Sequence, residues 1–278
     1  MCSVFSRGGA AVAIAFLAIV IVPARQRAAA SPDAPPLRVC ADPNNMPFSN
    51  QRAEGFENRI ADLVGRELAR RVDYLWQPQR RGFIRTTLSA GHCDLIMGVP
   101  ASFELVLATR PYYRSTYVFV SRRRDQPVAS FDDPRLKRWR IGIQLTGDDY
   151  DNPPAAQALA RRRLFNQVRG FMVYGDYSRE APERDVIDAV VDGRVDVAAV
   201  WGPIAGYFAA HEPKPLVVTP TPATDTLTRL PFTFAIAMGV RRDNPSLREQ
   251  LNGIIVRRHG EIARILQEYH VPLVESSS

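Results

Sequence analysis

The sequence predicts an α/β protein of two similar lobes with a binding cleft between them. Two distant stretches follow the same plan, GHCDLIMGVP at 91–100 and GRVDVAAVWGP at 193–203. Each has a glycine turn, an aspartate and a short apolar run that ends at a proline, and each follows a helix-like segment. Such runs are typical of strands buried on both faces of a parallel sheet. The distance from Asp94 to Asp196 is too long for a solenoid repeat and suits two lobes.

Composition agrees with a large globular chain. The 278 residues, 46% hydrophobic and 23% charged, can bury one large core or two smaller ones. Short apolar runs alternate with amphipathic segments, which predicts parallel and mixed sheets with right-handed crossovers. The expected strands lie at 37–41, 72–76, after Asp94, at 117–121, 140–145 and 171–175, after Asp196, and at 216–219 and 232–240. The expected helices lie at 55–70, 79–89, 155–165, around Asp185, and at 245–269 as one or two helices.

The N-terminus has the features of an export signal. Arg7 precedes an apolar run at 10–22, and small residues typical of a signal-peptidase site follow at 28–30. The run is too short to span a bilayer comfortably, although an uncleaved anchor remains the alternative. We therefore expect a periplasmic chain with no stable membrane insertion after cleavage. The expected organisation is a signal peptide at 1–30, a linker at 31–36, lobe 1 at 37–120 and 228–278, and lobe 2 at 121–227, with two hinge crossovers near 117–122 and 219–228.

The charge balance is basic without being concentrated. The formal net charge is +7, and nearly all the bases are arginine. No block of five like charges appears, so nucleic acid is not an expected partner. The triplets at 122–124 and 161–163 are expected to be solvated faces; if they bind anything, they favour an acidic protein partner.

The cysteines and histidines indicate no metal site. Once Cys2 leaves with the signal peptide, Cys40 and Cys93 are the remaining thiols in an oxidising compartment, which favours a disulfide. The expected strand register argues against that bond, so both states stay open. The four histidines stand alone, and their spacing matches neither a zinc nor a haem motif.

Candidate cleft residues follow from the strand ends, because ligands of α/β sheets bind at the carboxyl ends of strands. These ends place the following residues around one gap: Asn44, Asn45, Met46, Pro100, Ser102, Thr146 and Trp201. Trp201 either lines an apolar cavity and anchors a partner segment, or plugs the cleft itself.

Further candidates flank that gap. Arg80 and Arg81 either meet an acidic partner or ligand at the rim of lobe 1 or form a solvated helix start. Tyr112, with its neighbour Tyr113, either stacks on a ligand or packs under the hinge. The acidic run at 148–151 either holds a cation or forms an exposed loop, and the exposed loop is expected.

Six stretches in the same order resemble periplasmic solute-binding proteins of the amino-acid-binding type, which have the two-lobed type II fold. The resemblance covers residues 37–272 and rests on LRVCADPNNMPF, EGFENRIADLVGREL, AGHCDLIMGVP, ATRPYYRSTYVFV, VDGRVDVAAVWGPIAGY and FAIAMGVRRDNPSLREQLN. Two positions depart from that family. Ser102, near Glu104, stands where those proteins hold the arginine that clamps the ligand carboxylate, and Trp201 stands where they hold the aspartate for the ammonium. The resemblance therefore implies the scaffold without affinity for amino acids.

Two longer stretches, WQPQRRGFIRTTLSAGHCDLIMGVP and TRPYYRSTYVFV, are similar to the MoxJ/XoxJ family. These solute-binding-like proteins accompany PQQ-dependent methanol or alcohol dehydrogenases. The resemblance implies a periplasmic accessory protein, not an enzyme, that binds the dehydrogenase and assists its maturation or activation. It also implies a c-type cytochrome as a further candidate partner, and a protein that alone is a monomer without a cofactor.

Two other functions remain open. The first is an ABC-transporter substrate-binding protein for a small solute other than an amino acid. The second is a dehydratase-like enzyme, for which Glu104 is the one obvious candidate general acid. No nucleophile, zinc or phosphate-binding motif supports catalysis.

Overall fold

The structure is a computed structural model that describes residue 1 and residues 34–123, 125–145, 152–172 and 177–275. The predicted signal peptide at 1–30, apart from its first residue, lies outside the described residues. Thr146 and the acidic run at 148–151 lie outside them as well. Within the described ranges, no helix combines the length and the apolar character that crossing a membrane requires.

Twelve strands and seven α-helices occupy the described ranges. The strands are β1 (Leu37–Ala41), β2 (Asn44–Asn45), β3 (Ser49–Asn50), β4 (Val72–Trp76), β5 (Leu95–Pro100), β6 (Leu107–Ala108), β7 (Tyr113–Arg122), β8 (Ile141–Leu145), β9 (Val168–Met172), β10 (Val197–Trp201), β11 (Leu216–Pro220) and β12 (Thr233–Val240). The helices are α1 (Phe56–Glu67), α2 (Phe83–Thr86), α3 (Pro154–Arg161), α4 (Asp185–Val191), α5 (Gly202–Ala210), α6 (Pro245–Arg257) and α7 (His259–Glu268).

Two mixed sheets form the framework, and they share the long strand β7. In the first sheet β4, β1 and β5 are parallel, and β12 lies antiparallel between β5 and the first half of β7. From Tyr117 onward β7 pairs with β10 on one side and β11 on the other. Beyond β10, the strands β8 and β9 continue in parallel. The fold is therefore the predicted two-lobed type II α/β architecture.

The duplicated aspartates have the same structural role in both lobes. Asp94 binds the guanidinium of Arg38 at 2.6 Å and also accepts its backbone N–H at 3.1 Å. Asp196 repeats this with Arg140, at 2.9 Å for both bonds. Burial opposes ionisation, but the arginine hydrogen bonds hold the pKa of both carboxyls below the ordinary value. These aspartates fasten the amino ends of two parallel strands together, at the end away from the carboxyl-end cleft.

Glycines at the duplicated turns are required by backbone geometry. Gly91 has φ +77° and Gly193 has φ +72°, in the left-handed region that side chains disfavour. A third glycine, Gly82, has φ +86° and explains one difference from the sequence prediction. The helix expected at 79–89 is only the single turn α2, because Gly82 in this conformation breaks the chain direction before Phe83.

Other boundaries also differ from the expectations. The helix expected at 155–165 ends at Arg161, since Arg163 adopts the left-handed conformation with φ +57°. The strand expected at 171–175 begins earlier, at Val168. The C-terminal segment forms two helices, α6 and α7, which meet at Arg258.

Apolar side chains fill both sides of the sheets. The helices α1, α6 and α7 cover the first sheet with residues such as Phe56, Ile60 and Leu251, all fully buried. The helices α4 and α5 cover the second sheet from one side, and α3 covers it from the other. Each lobe therefore has its own core.

Cys40 and Cys93 are joined in a disulfide with their Cα atoms 5.7 Å apart. The bond was not expected from the strand register if Cys93 began a strand. In the structure β5 begins two residues later, at Leu95, so Cys93 is not held to the strand register and reaches Cys40. Both residues are buried in the core of lobe 1 beside α2.

Candidate functional site

The cleft between the lobes contains a cavity of about 350 Å³. It lies at the carboxyl ends of β5, β8 and β10, as the strand order requires. From lobe 1 it is lined by Asn45, Phe48, Pro100, Phe234 and Ile236, and from the lobe 2 side by Tyr117, Gln144, Pro153, Trp201 and Ile204. The lining is therefore apolar and aromatic, with two amide side chains as its polar groups.

Three aromatic rings form the back of this cavity. The ring of Trp201 lies 5.4 Å from that of Tyr117 and 5.9 Å from that of Phe234, measured between centroids. Gly202, which follows Trp201, has no space for a side chain: an added Cβ would lie 2.4 Å from the carbonyl oxygen of Thr116. This close approach of α5 to β7 fixes the position of the Trp201 indole at the carboxyl end of β10.

The cavity lacks the ionic groups that bind a free amino acid. None of its described lining residues carries a carboxylate, guanidinium or ammonium group. Ser102 and Glu104 are exposed and do not line the cavity. Glu104 is therefore not positioned in the cavity to act as the general acid of a dehydratase. The arrangement can bind an apolar group and orient it with two amides.

The structure places the predicted cleft residues in several different surroundings. Asn45, Pro100 and Trp201 line the cavity, whereas Ser102 does not. The prediction for Met46 needs correction: its side chain is 8% exposed, packs among the apolar residues of lobe 2 and does not line the cavity. Thr146 lies outside the described residues.

Tyr112 also needs correction, because it is not a cleft residue. It is 5% exposed, and its hydroxyl donates a 3.0 Å hydrogen bond to the carbonyl of Met97 inside lobe 1. Its ring packs against Tyr113 with centroids 4.9 Å apart. Burial raises the pKa of both phenols well above the ordinary value, so the pair is a neutral part of the core.

The two lobes are also joined along one side of the cleft, in a contact that we call the interlobe edge and define by Asp42, Asn44, Tyr177 and Ala181. The carboxylate of Asp42 accepts a 2.7 Å hydrogen bond from the hydroxyl of Tyr177. The amide of Asn44 donates to the carbonyl of Arg179 at 2.7 Å and accepts from the N–H of Ala181 at 3.0 Å. These bonds hold lobe 2 against the turn that follows β1.

The predicted rim arginines lie beside this edge. The guanidinium of Arg80 sits over the ring of Tyr177, 5.2 Å from its centroid. Arg81 is exposed next to it. Arg52 adds an exposed ion pair with Glu180 of lobe 2. Arg80 therefore contacts the second lobe, in addition to the partner and the solvent that were the two expected alternatives.

Two buried glutamates, Glu57 and Glu183, were not predicted from the sequence. Burial raises the pKa of Glu57 to about 8, and its carboxyl packs on Gly98 of β5, where an added Cβ would lie 2.2 Å from Oε1. Burial also raises the pKa of Glu183 to about 8, assisted by the nearby charges of Asp42 and Asp185. One oxygen of Glu183 has no hydrogen-bond partner among the described residues. No sequence signal marks either position, because both glutamates sit at the starts of ordinary amphipathic segments.

No cluster of three or more metal-ligating side chains occurs in the described part of the chain. The fold and the cleft together define a two-lobed protein of the binding type, and the described residues that line its cavity are mostly apolar.

Comparison with known proteins agrees with that class. The family described as bacterial extracellular solute-binding proteins, family 3, matches residues 37–272. Protein MoxJ of Methylorubrum extorquens (strain AM1) is 30% identical over 258 residues, 90% of this chain and 85% of that protein. Protein MoxJ of Paracoccus denitrificans is 28% identical over 87% of this chain and 90% of that protein. The crystal structure of the periplasmic binding protein XoxJ from Methylobacterium extorquens AM1 has a TM-score of 0.71 and 36% identity, covering 86% of this chain and 100% of that chain.

The chain therefore belongs to the bacterial extracellular solute-binding proteins of family 3, and within that family to the MoxJ/XoxJ group.

Proposed function

We propose that this chain is a periplasmic accessory protein that binds a PQQ-dependent methanol or alcohol dehydrogenase and assists its maturation or activation. The chain itself performs no catalysis and holds no cofactor under this proposal. The observation that carries it is a cleft cavity whose described lining is apolar and aromatic and carries no charged group, in a chain similar to MoxJ and XoxJ. A c-type cytochrome of the same system is a second candidate partner.

The missing anchors argue against transport of amino acids. A hydrogen bond to a charged group is worth about 1.5–3 kcal/mol net, so losing one at each end of a zwitterion costs about 3–6 kcal/mol. That loss corresponds to roughly two to four orders of magnitude in Kd. The cavity therefore suits an apolar group better than a free amino acid.

We propose that Trp201 is the anchor for an apolar segment of the dehydrogenase. Aromatic side chains dominate the binding energy of protein interfaces when they are held rigidly at the centre of a pocket. Trp201 meets this description, since Tyr117 and Phe234 support its ring on two sides. The half-exposed indole remains available to a partner from the open side of the cleft.

We further propose that lobe 1 comprises 37–120 and 228–278 and lobe 2 comprises 121–227, with hinges near 117–122 and 219–228. The pairing of β7 supports this division, since its residues up to Thr116 pair with β12 and its later residues pair with β10 and β11. Opening at these hinges, with release of the interlobe edge, would admit a polypeptide segment.

The test is binding of the purified dehydrogenase to this protein, with Trp201→Ala compared against Trp139→Ala. Trp139 is a matched control because its ring packs under Arg135 (4.8 Å) and does not line the cleft. We expect Trp201→Ala to raise Kd by about thirtyfold, since removing an interface hot spot costs ~2 kcal/mol. Trp139→Ala should leave Kd unchanged.

A cellular measurement completes the test. Cells lacking the gene should show reduced PQQ-dependent alcohol oxidation, which the wild type and Trp139→Ala restore and Trp201→Ala does not. The proposal fails if the wild-type protein does not bind the dehydrogenase, or if its cleft binds glycine-like zwitterions tightly.

The second candidate is an ABC-transporter receptor for a small apolar solute. The cavity of about 350 Å³ favours it, because that volume suits a compact ligand. A solute that raises the melting temperature by several degrees, together with no affinity for the dehydrogenase, would select this function.

A further inference from the structure

The strand β9 is the last strand of the second sheet, and one of its two sides has no partner strand in the part of the chain that the structure describes. Only β8 pairs with β9 among the described residues, along the full register from Val168 to Met172. Arg169, Gly170 and Met172 are exposed. An open strand edge presents backbone N–H and C=O groups that a further strand can pair with.

Large apolar side chains stand exposed at both ends of this strand. Phe165, three residues before β9, is 60% exposed, and Met172, its last residue, is 50% exposed. The neighbouring Leu164 is buried at 6% exposure and fills the core beneath. Phe165 is therefore turned away from a core that its neighbour already occupies. Exposed strand edges are normally protected from pairing with other chains by charged side chains or by a short strand. Exposed apolar side chains instead favour such pairing.

The arginine triplet at 161–163 divides into one structural and two free side chains. The side chain of Arg162 is only 8% exposed and binds Asp132 and Asp225, each at 2.8 Å. Arg161 and Arg163 on either side of it are exposed, and no carboxylate of the described chain pairs with them.

A third exposed cation lies on the strand itself. Among the described residues, the guanidinium of Arg169 donates to two backbone carbonyls, those of Asn166 at 3.2 Å and Val168 at 3.0 Å. Arg161, Arg163 and Arg169, with Phe165 and Met172, are all exposed in the segment 161–172 that leads into and includes β9, and we call this set of residues the basic edge. Its positive charge is not compensated by the described acids of this chain.

We infer that the basic edge is a docking surface for an extended acidic segment of the dehydrogenase, which pairs with the open side of β9. Backbone hydrogen bonds along β9 supply affinity, and the exposed phenylalanine and methionine cover apolar side chains of the added strand. Charge complementarity with the three arginines selects an acidic sequence and accelerates association. This inference rests on the proposed function for the identity of the partner, but it assigns a surface on lobe 2 that is separate from the cleft.

The experiment measures association and dissociation of the purified dehydrogenase with the immobilised full chain at two salt concentrations. The variants are Arg161→Glu/Arg163→Glu and Phe165→Ser/Met172→Ser. Arg110→Glu/Arg242→Glu is the control, because both residues are exposed on lobe 1 and form no ion pair within the described residues. All the replaced side chains are exposed, so melting temperatures should match the wild type.

We expect the charge reversal to slow association about tenfold at low salt and to weaken its salt dependence. The apolar replacement should accelerate dissociation, and the control should match the wild type. If both edge variants bind the dehydrogenase as the wild type does, while Trp201→Ala still binds it more weakly, the inference is overturned and the proposed function stands. Absence of binding by the wild type overturns both. If the edge variants bind the dehydrogenase normally but no longer bind anionic lipid vesicles that the wild type binds, the basic edge contacts a membrane surface. That outcome also overturns the inference.

Discussion

Replacing Glu57 by glutamine should stabilise the protein and make its stability less dependent on pH. Glu57 is 7% exposed, and burial alone raises the pKa of its carboxyl from 4.5 to about 8. Its Oε1 packs against the backbone at Gly98, so the folded protein holds the carboxyl where water cannot solvate a charge. Glutamine has nearly the same shape and stays neutral at every pH.

The sign and size follow from proton linkage. Because the folded state binds this proton more tightly than the unfolded chain, the free energy of unfolding falls as the pH rises from 4.5 towards 8. At pH 7 the ionisation of this carboxyl in the unfolded chain costs the wild type about 3 kcal/mol of stability. Glu57→Gln should recover about that amount at pH 7 and nothing near pH 4. Glu183, whose pKa is also raised to about 8, contributes in the same direction, so some of the slope should remain.

Urea unfolding followed by tryptophan fluorescence at pH 5, 6, 7 and 8 measures this directly. The exposed Glu104→Gln is the control and should leave the pH dependence unchanged. The double variant Glu57→Gln/Glu183→Gln should remove most of the loss of stability between pH 5 and 8. If Glu57→Gln keeps the wild-type slope, the buried carboxyl is ionised in the folded state and the reasoning is wrong.

Two further predictions concern structural bonds. Cys40→Ala/Cys93→Ala should lower the free energy of unfolding by about 2–4 kcal/mol, because the disulfide closes a loop with a sequence separation of 53 residues. Thermal unfolding with and without a reductant tests this prediction. A wild-type protein whose melting temperature does not change with reductant would contradict it. Arg162→Met should cost about 3–5 kcal/mol, since it leaves the carboxylate of Asp225 buried without its cation. Arg161→Met, next to it and exposed, should change stability by less than about 0.5 kcal/mol, so equal losses in the two variants would refute the division of the triplet.

The fold class could be predicted from the amino-acid sequence alone. Buried strands of a parallel sheet need short apolar runs, and these runs are visible without any tertiary information, as at β1 and β4, whose bounds match the prediction. The repeated glycine and aspartate also revealed the two lobes, because each lobe needs the same left-handed turn and the same arginine anchor. Ser102 and Trp201 predicted a cleft without ionic anchors, and no described residue that lines the cavity carries a charge.

Which side chains line the cleft depends on the tertiary structure. Tyr112 and Met46 sit at positions that sequence order places near the gap, yet one bonds to Met97 inside lobe 1 and the other packs into lobe 2. The interlobe edge joins Asp42 to Tyr177, which lie 135 positions apart, and no local pattern encodes such a pair. Local sequence sets backbone propensity and apolar period, whereas the direction of a side chain and the burial of a charge depend on groups brought together from distant parts of the chain.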